Sequence, residues 1–468
     1  MPRLITLLVC SLFALKALVL IDATGLWSDE LYSVGKSFQP SLMGLVEMLR
    51  NDTHPPLYYL VLWFWGQALA QTPLTLRLLS WLAYLAGAAL VVRQSAAMAS
   101  HGSTRTAVSV AALLMLCSPY PIRFSVEGKS YALLVALVAL CWWCRRRWLD
   151  GTGAAWTYGL SVALAALTHF YGAFLFAAAA VWDGWQHRWP LARAAVIGLL
   201  PTTFWIAYAS AYLFSSRSGS WIGGPDFALL EDTLARSLGW WPLPRLLVIL
   251  AVVVLLRRRG LTTDGGELDP STRWRLLDRS GLIPSGLMVL AVVMVSFFKP
   301  LAFSRYFVVL VPAVATWLAV ETAALSFNRL GRRILAVMVA LLLLGWWSHS
   351  FREIRAGGVR EQSNFRAVSR LTAGMTDRFS PRPRLFNLSD RMEGVSLAAW
   401  GDEDELDDRL QVSPAPRAIW LAASGPEPVM RRRLRPLERR VKQAGYRCEL
   451  RSAELANARV LLCSAGET

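Results

Sequence analysis

Residues 27–59 read WSDELYSVGKSFQPSLMGLVEMLRNDTHPPLYY. Two adjacent carboxylates, Asp29 and Glu30, stand a few residues beyond the first long apolar run. Leu42, Leu45, Val46 and Leu49 then recur at helical spacing, which predicts a short amphipathic helix. Pro55 and Pro56 cannot continue a helix but can begin one, so they mark a restart before an aromatic run. Ser28 ahead of two acids also fits a simple helix start. Ionisable groups held this close to a bilayer are costly unless they serve a purpose.

The rest of the chain supplies the bilayer. Of 468 residues, 55% are hydrophobic and 17% charged, against about 25% charged in soluble domains. Mean hydropathy is +0.39. The formal net charge of +17 comes mostly from arginine clusters between apolar runs. Short clusters separated by spans fit the positive-inside rule and argue against nucleic acid as a partner. Six scattered cysteines do not suggest a disulfide framework. Cys141 and Cys144 enclose two tryptophans at a helix end, which suits neither zinc nor redox chemistry. Arg3 and the following run lack a small-residue cleavage site and read as a retained first span.

A span needs about 20 mainly apolar residues. Runs at 4–22, 73–93, 106–121, 130–148, 155–169, 170–185, 193–213, 243–256, 282–298, 303–323 and 333–349 qualify. Residues 56–71 are short, proline-led and rich in Tyr and Trp, so they read as an interfacial or re-entrant helix. With about eleven spans, nearly every arginine cluster falls on the cytoplasmic side. The N-terminus is then cytoplasmic, and the tail lies outside the cell or inner membrane.

The outward face collects 23–72, 122–129, 214–242, 299–302 and everything beyond about 350. It carries Arg123, Glu127 and Lys129, then Tyr131, and later Arg305 and Tyr306. An arginine or lysine there could be a snorkelling anchor. Their convergence with Asp29 and Glu30 points instead to a site with carboxylates for proton abstraction and cations for an anionic headgroup. The chain divides into 1–349, the membrane part with its first outer loop at 23–72, and 350–468, a small α/β domain. In that domain, 384–388, 418–422, 446–450 and 460–463 read as strands. Residues 427–444 read as a helix ended by Gly445, and the acidic run 402–408 as a solvated loop. Asn51-Asp-Thr53 and Asn387-Leu-Ser389 match the glycosylation pattern.

Four stretches carry a resemblance to a known family. They are Trp27-Ser-Asp29-Glu30 with Tyr32, His54-Pro-Pro-Leu-Tyr-Tyr59, Arg123-Phe-Ser-Val-Glu127-Gly-Lys-Ser-Tyr131, and Ser304-Arg305-Tyr306. Thr168-His169-Phe170-Tyr171 is a weaker fifth. The set resembles the C-type superfamily of membrane glycosyltransferases, in the bacterial branch related to protein O-mannosyltransferases and lipid A aminoarabinose transferases. Many relatives have a polar residue, then a small residue and arginine, where this chain has Val126 and Gly128-Lys129.

The resemblance implies inverting transfer of a sugar from a polyprenyl-phosphate donor to an envelope glycan, lipid or protein outside the cytoplasm. It puts Asp29 in the base role, with Glu30 orienting the acceptor or sharing the proton. Arg123, Lys129 or Arg305 would hold phosphate, and His54, Glu127, Tyr131, His169 and Tyr306 join the substrate site. Physical chemistry supports that pairing: a leaving phosphate needs a cation, and an attacking hydroxyl needs a base. No cofactor is demanded and no metal ligands are assigned; a divalent metal stays open. A flippase for the same carrier, or an enzyme like an O-antigen ligase, remains an alternative. No clear internal repeat supports a transporter.

Overall fold

The structure, a computed structural model, describes residues 3–215, 222, 224–231, 252, 254, 255, 260, 268–360, 363–396 and 398–465. The expected span 243–256 and most of the outer segment 214–242 fall outside the described residues. The described chain is largely helical, with one small sheet. It forms two compact units. The first comprises Met1–Leu18, Pro40–Leu62 and Leu78–Glu353; the second comprises Val19–Gln39, Trp63–Arg77 and Ile354–Thr468. The expected division near 350 is thus joined by two pieces of the first outer loop that fold with the tail.

In chain order the first helices are α1 (Arg3–Val19), α2 (Ser28–Ser37), α3 (Leu42–Arg50), α4 (Leu57–Ala68), α5 (Pro73–Met98) and α6 (Thr104–Cys117). They continue as α7 (Pro119–Arg123), α8 (Tyr131–Leu149), α9 (Ala155–Thr168), α10 (Phe170–Trp185) and α11 (Trp189–Tyr208). Helices Pro270–Arg279, Leu282–Ser296, Val311–Ala324 and Arg329–Arg360 follow. Among the described residues, four helical segments are long and apolar enough to cross a membrane: Pro73–Met98, Trp189–Tyr208, Ser304–Ala324 and Arg329–Ser350. Two bent pairs would raise the number to six.

Of the other expected spans within the described residues, α8 has 19 residues but carries three arginines near its end, and the rest are shorter helices. The α9 helix has 14 residues, or about 21 Å, against a hydrocarbon core of about 30 Å. The α4 helix has 12, about 18 Å, and does not qualify as a span. Its Trp63 and Trp65 indoles donate to the backbone carbonyls of Gln39 and Thr75, so within the second unit they act as staples.

In the first unit, α8 runs through the centre of the core, with Leu134, Val135, Val138, Cys141 and Trp142 all at most 1% exposed. Backbones approach closely where side chains are small. A Cβ on Gly198 would lie 2.3 Å from the Gly159 carbonyl oxygen, so α9 and α11 can pack only with glycine there.

In the second unit the sheet order is β1-β2-β4-β3, with β1 (Arg378–Phe379), β2 (Ala418–Ser424), β3 (Tyr446–Leu450) and β4 (Ala458–Ala465). β1 pairs parallel with β2, and the other pairs are antiparallel. Helix Glu427–Gln443 lays Met430, Leu434, Leu437 and Val441 on the sheet, a 3.6-residue stripe, and Gly445 follows it at φ 91°.

Two expectations fail here, and one disulfide was not foreseen. Residues 384–388 are not a strand but part of helix Pro383–Glu393. Pro383 starts it, Leu385, Phe386, Ser389 and Met392 face inward, and Gly394 at φ 61° ends it. The acidic run is not a loop: Asp402 caps helix Glu403–Gln411, accepting from the amides of Asp404 and Glu405. One disulfide exists, Cys448–Cys463, because β3 and β4 place those residues directly opposite each other.

Candidate active site

In the second unit, α2 begins at Ser28, with Trp27 as its cap residue and Asp29 and Glu30 in its first turn. The two neighbours meet different fates. Glu30 is fully buried. Its Oε1 accepts from Arg77 Nε at 2.7 Å, its Oε2 from Arg77 Nη2 at 2.7 Å and from the Trp27 amide at 3.3 Å. Arg77 also donates to the carbonyls of Ile21, Thr24 and Gly25. One guanidinium therefore ties the incoming chain to the first turn of α2. Asp29, one residue earlier, is half-buried. Tyr32 is exposed one turn on, and Lys36 Nζ lies 6.0 Å from its ring centre.

Helix α2 rests on helix Pro383–Glu393. A Cβ on Gly35 would come 2.9 Å from Leu388 Cδ1. The helix that carries Asp29 thus packs directly against the Leu388 side chain, whose end can shift to admit a methyl group.

In the first unit, the stretch 118–131 folds inward. Pro119 and Pro121 bend the chain by 48° after α6, and a 3-10 turn at Phe124–Val126 follows. Arg123, Glu127 and Lys129 are 8%, 6% and 4% exposed, and Arg305 is 9% exposed. A snorkelling side chain keeps its head in water; these do not. Charges buried this far are costly, which makes these four side chains candidates for the site.

His169 is the hub of the site. It breaks the helix between α9 and α10 at an extended φ of −160°, and its Nδ1 accepts from the Tyr171 amide. Its ring centre lies 6.1 Å from that of His54, 6.0 Å from Tyr131, 5.1 Å from Tyr306 and 5.8 Å from Tyr171. Lys129 lies within electrostatic reach of His169. Tyr171 donates to the Leu301 carbonyl at 2.7 Å, fixing the loop before Arg305. Tyr120 donates to the Arg305 carbonyl. The structure thus brings His54, Lys129, Tyr131, His169 and Tyr306 together from separate stretches of chain. Arg123, Glu127 and Arg305 lie buried in the same unit.

Three contributors were not among the expected site residues, although Tyr171 belongs to the fifth motif. Arg77 stands alone among the apolar residues at the start of α5, and an isolated charge in such a run is itself a signal. Tyr171 packs between the rings of Tyr306 and Phe307. Asp52 is buried, and its Oδ1 lies 3.3 Å from His54 Nδ1 and accepts from the Thr53 amide. Of the two glycosylation patterns, Asn387 uses its side-chain oxygen to accept from the Trp400 amide. Among the described residues, no three His, Cys, Asp or Glu side chains form a metal-holding group.

No protein-family description matches the chain, and no curated protein does. Solved structures do. A crystal structure of ArnT from Cupriavidus metallidurans in the apo state superimposes with a TM-score of 0.61, covering 99% of each chain at 13% identity. The chain shares this fold. A second ArnT structure from the same organism, bound to undecaprenyl phosphate, gives a TM-score of 0.57 over the full length of both chains, again at 13% identity. The likeness in fold therefore spans the helical part and the tail, whereas the sequence motifs reach only from residue 27 to 307.

Proposed function

We propose that the chain is a membrane glycosyltransferase that moves a sugar from a polyprenyl-phosphate carrier to an acceptor outside the cytoplasm. The observation that carries this reading is the His169 cluster, which joins motif residues from far apart in the sequence, beside buried Lys129. The ArnT likeness supports it, because one of those structures holds undecaprenyl phosphate, itself a polyprenyl phosphate.

In this reading an acceptor hydroxyl attacks the anomeric carbon from the face opposite the phosphate. The new carbon–oxygen bond forms as the bond to the phosphate oxygen breaks, so the configuration inverts. Asp29 takes the hydroxyl proton, and the polyprenyl phosphate leaves as an anion. Arg123, Lys129 and Arg305 are the cations proposed to hold that phosphate. His54, Tyr131, His169 and Tyr306 would wall the sugar. Glu30 is reassigned: with both oxygens on Arg77, it orients the turn that bears Asp29 rather than sharing its proton.

The outward placement of the tail draws support from Cys448–Cys463, since disulfides persist in oxidising compartments. Reporter fusions at residues 150 and 360 should be active in opposite compartments; activity in the same one would refute the topology.

Function is tested by profiling lipids and glycans in a deletion strain. A carrier-linked sugar should accumulate while an envelope glycan loses one residue. An unchanged profile of both would refute the proposal.

A further inference from the structure

An open pocket of about 520 Å³ lies where α8 ends and α9 begins, and none of the motif residues discussed above lines it. Leu140, Trp143 and Cys144 form its wall, and Arg147, Thr152 and Thr157 its polar rim. The connecting loop is held in shape from within. Arg147 Nη2 donates to the Thr152 carbonyl at 2.6 Å, Thr152 Oγ1 to the Arg147 carbonyl at 3.1 Å, and Thr157 Oγ1 to the Ala154 carbonyl at 2.7 Å.

The charge around this cavity is one-sided. Asp150 is the local acid, and Arg146 and Arg279 both bind it. Arg93 sits over the Trp143 ring at 4.8 Å, and Arg146 over the same ring at 4.6 Å. Among the described residues, neither Arg93 nor Arg147 forms an ion pair. Against one aspartate, Arg147 lines the pocket, Arg93 and Arg146 cover the Trp143 ring, and Arg279 joins Arg146 on Asp150. Trp148 and Trp156 flank the loop, and Trp156 is 69% exposed, as in the aromatic belt at headgroup depth.

We propose that this cavity binds one anionic phospholipid from the leaflet next to the arginine-rich loops. Its phosphate diester would sit against Arg147, with the headgroup hydroxyls at Thr152 and Thr157. An acyl chain would run along Leu140 and Trp143. A soluble anion would leave that apolar wall uncovered, and a zwitterionic lipid would bring a second cation into a site already rich in them. The inference is independent of the proposed transfer reaction.

The test uses the full chain in nanodiscs of phosphatidylglycerol or of phosphatidylcholine, with amide exchange read over residues 150–157. Phosphatidylglycerol should slow exchange there relative to phosphatidylcholine. Arg147→Gln should weaken that protection roughly tenfold, as loss of one charge-assisted hydrogen bond does, and Arg147→Lys should restore most of it. Equal exchange in both lipids would overturn the proposal. So would full protection in Arg147→Gln, or equal protection from inorganic phosphate added to phosphatidylcholine discs.

Discussion

The Arg145 cluster and the first turn of α2 both bury charge, and they do it differently. At the end of α8, Arg145 is fully buried and donates to both oxygens of Asp183 at 2.9 and 2.6 Å. It also reaches Asp278, which accepts from Arg188 and from the Trp182 indole. Four charged side chains from four elements satisfy one another, and helix ends are locked as a result. In the α2 turn a single pair, Glu30 with Arg77, is closed in the same way, but its neighbour Asp29 stays half-buried. A closed cluster holds structure. A closed pair beside a partly exposed carboxylate fixes the turn that bears Asp29, the proposed base.

The largest effect expected from this contrast is at Asp29. Asp29→Asn keeps size and removes the base, so turnover should fall about 10²–10⁴-fold with unchanged thermal stability. Retention of more than about a tenth of wild-type turnover would remove Asp29 from the base role.

Arg145→Gln should do the reverse. It leaves two buried carboxylates short of a partner and should cost about 3–5 kcal/mol of stability. Activity per folded molecule should hold, which a thermal-shift series with a folded-fraction assay would check. Glu30→Gln should resemble Arg145→Gln more than Asp29→Asn: a loss of stability of about 3 kcal/mol and turnover that tracks the folded fraction. A pure activity loss at Glu30, with stability intact, would give it back a part in proton transfer.

The smallest effect is at the α2 packing face. Gly35→Leu should cost about 1–3 kcal/mol by pushing against Leu388. Gly35→Ala should be close to neutral, because Leu388 Cδ1 is a side-chain end that can move.

Much of this was legible because the signals are local. The helical stripe expected over 427–444 and the apolar strand runs expected at 418–422, 446–450 and 460–463 need only neighbours in sequence. His54, Lys129, Tyr131, His169 and Tyr306 were each expected from short motifs, but the arrangement of the rings around His169 was not, since it depends on how distant segments pack. Arg77 was hidden because the apolar residues after it dominate the reading of that run. The strand expected at 384–388 failed because two adjacent apolar residues, Leu385 and Phe386, fit either period. Cys448 and Cys463 are 15 residues apart, and only the register of β3 on β4 makes them partners.

In the proposed reaction the sugar arrives on a lipid phosphate and Asp29 takes the acceptor's proton. Purified chain given a polyprenyl-phosphate sugar and an acceptor extract should release polyprenyl phosphate, and Asp29→Asn should not. The matching nucleotide sugar should be inert. Transfer from the nucleotide sugar at a comparable rate, with no lipid carrier present, would contradict the account.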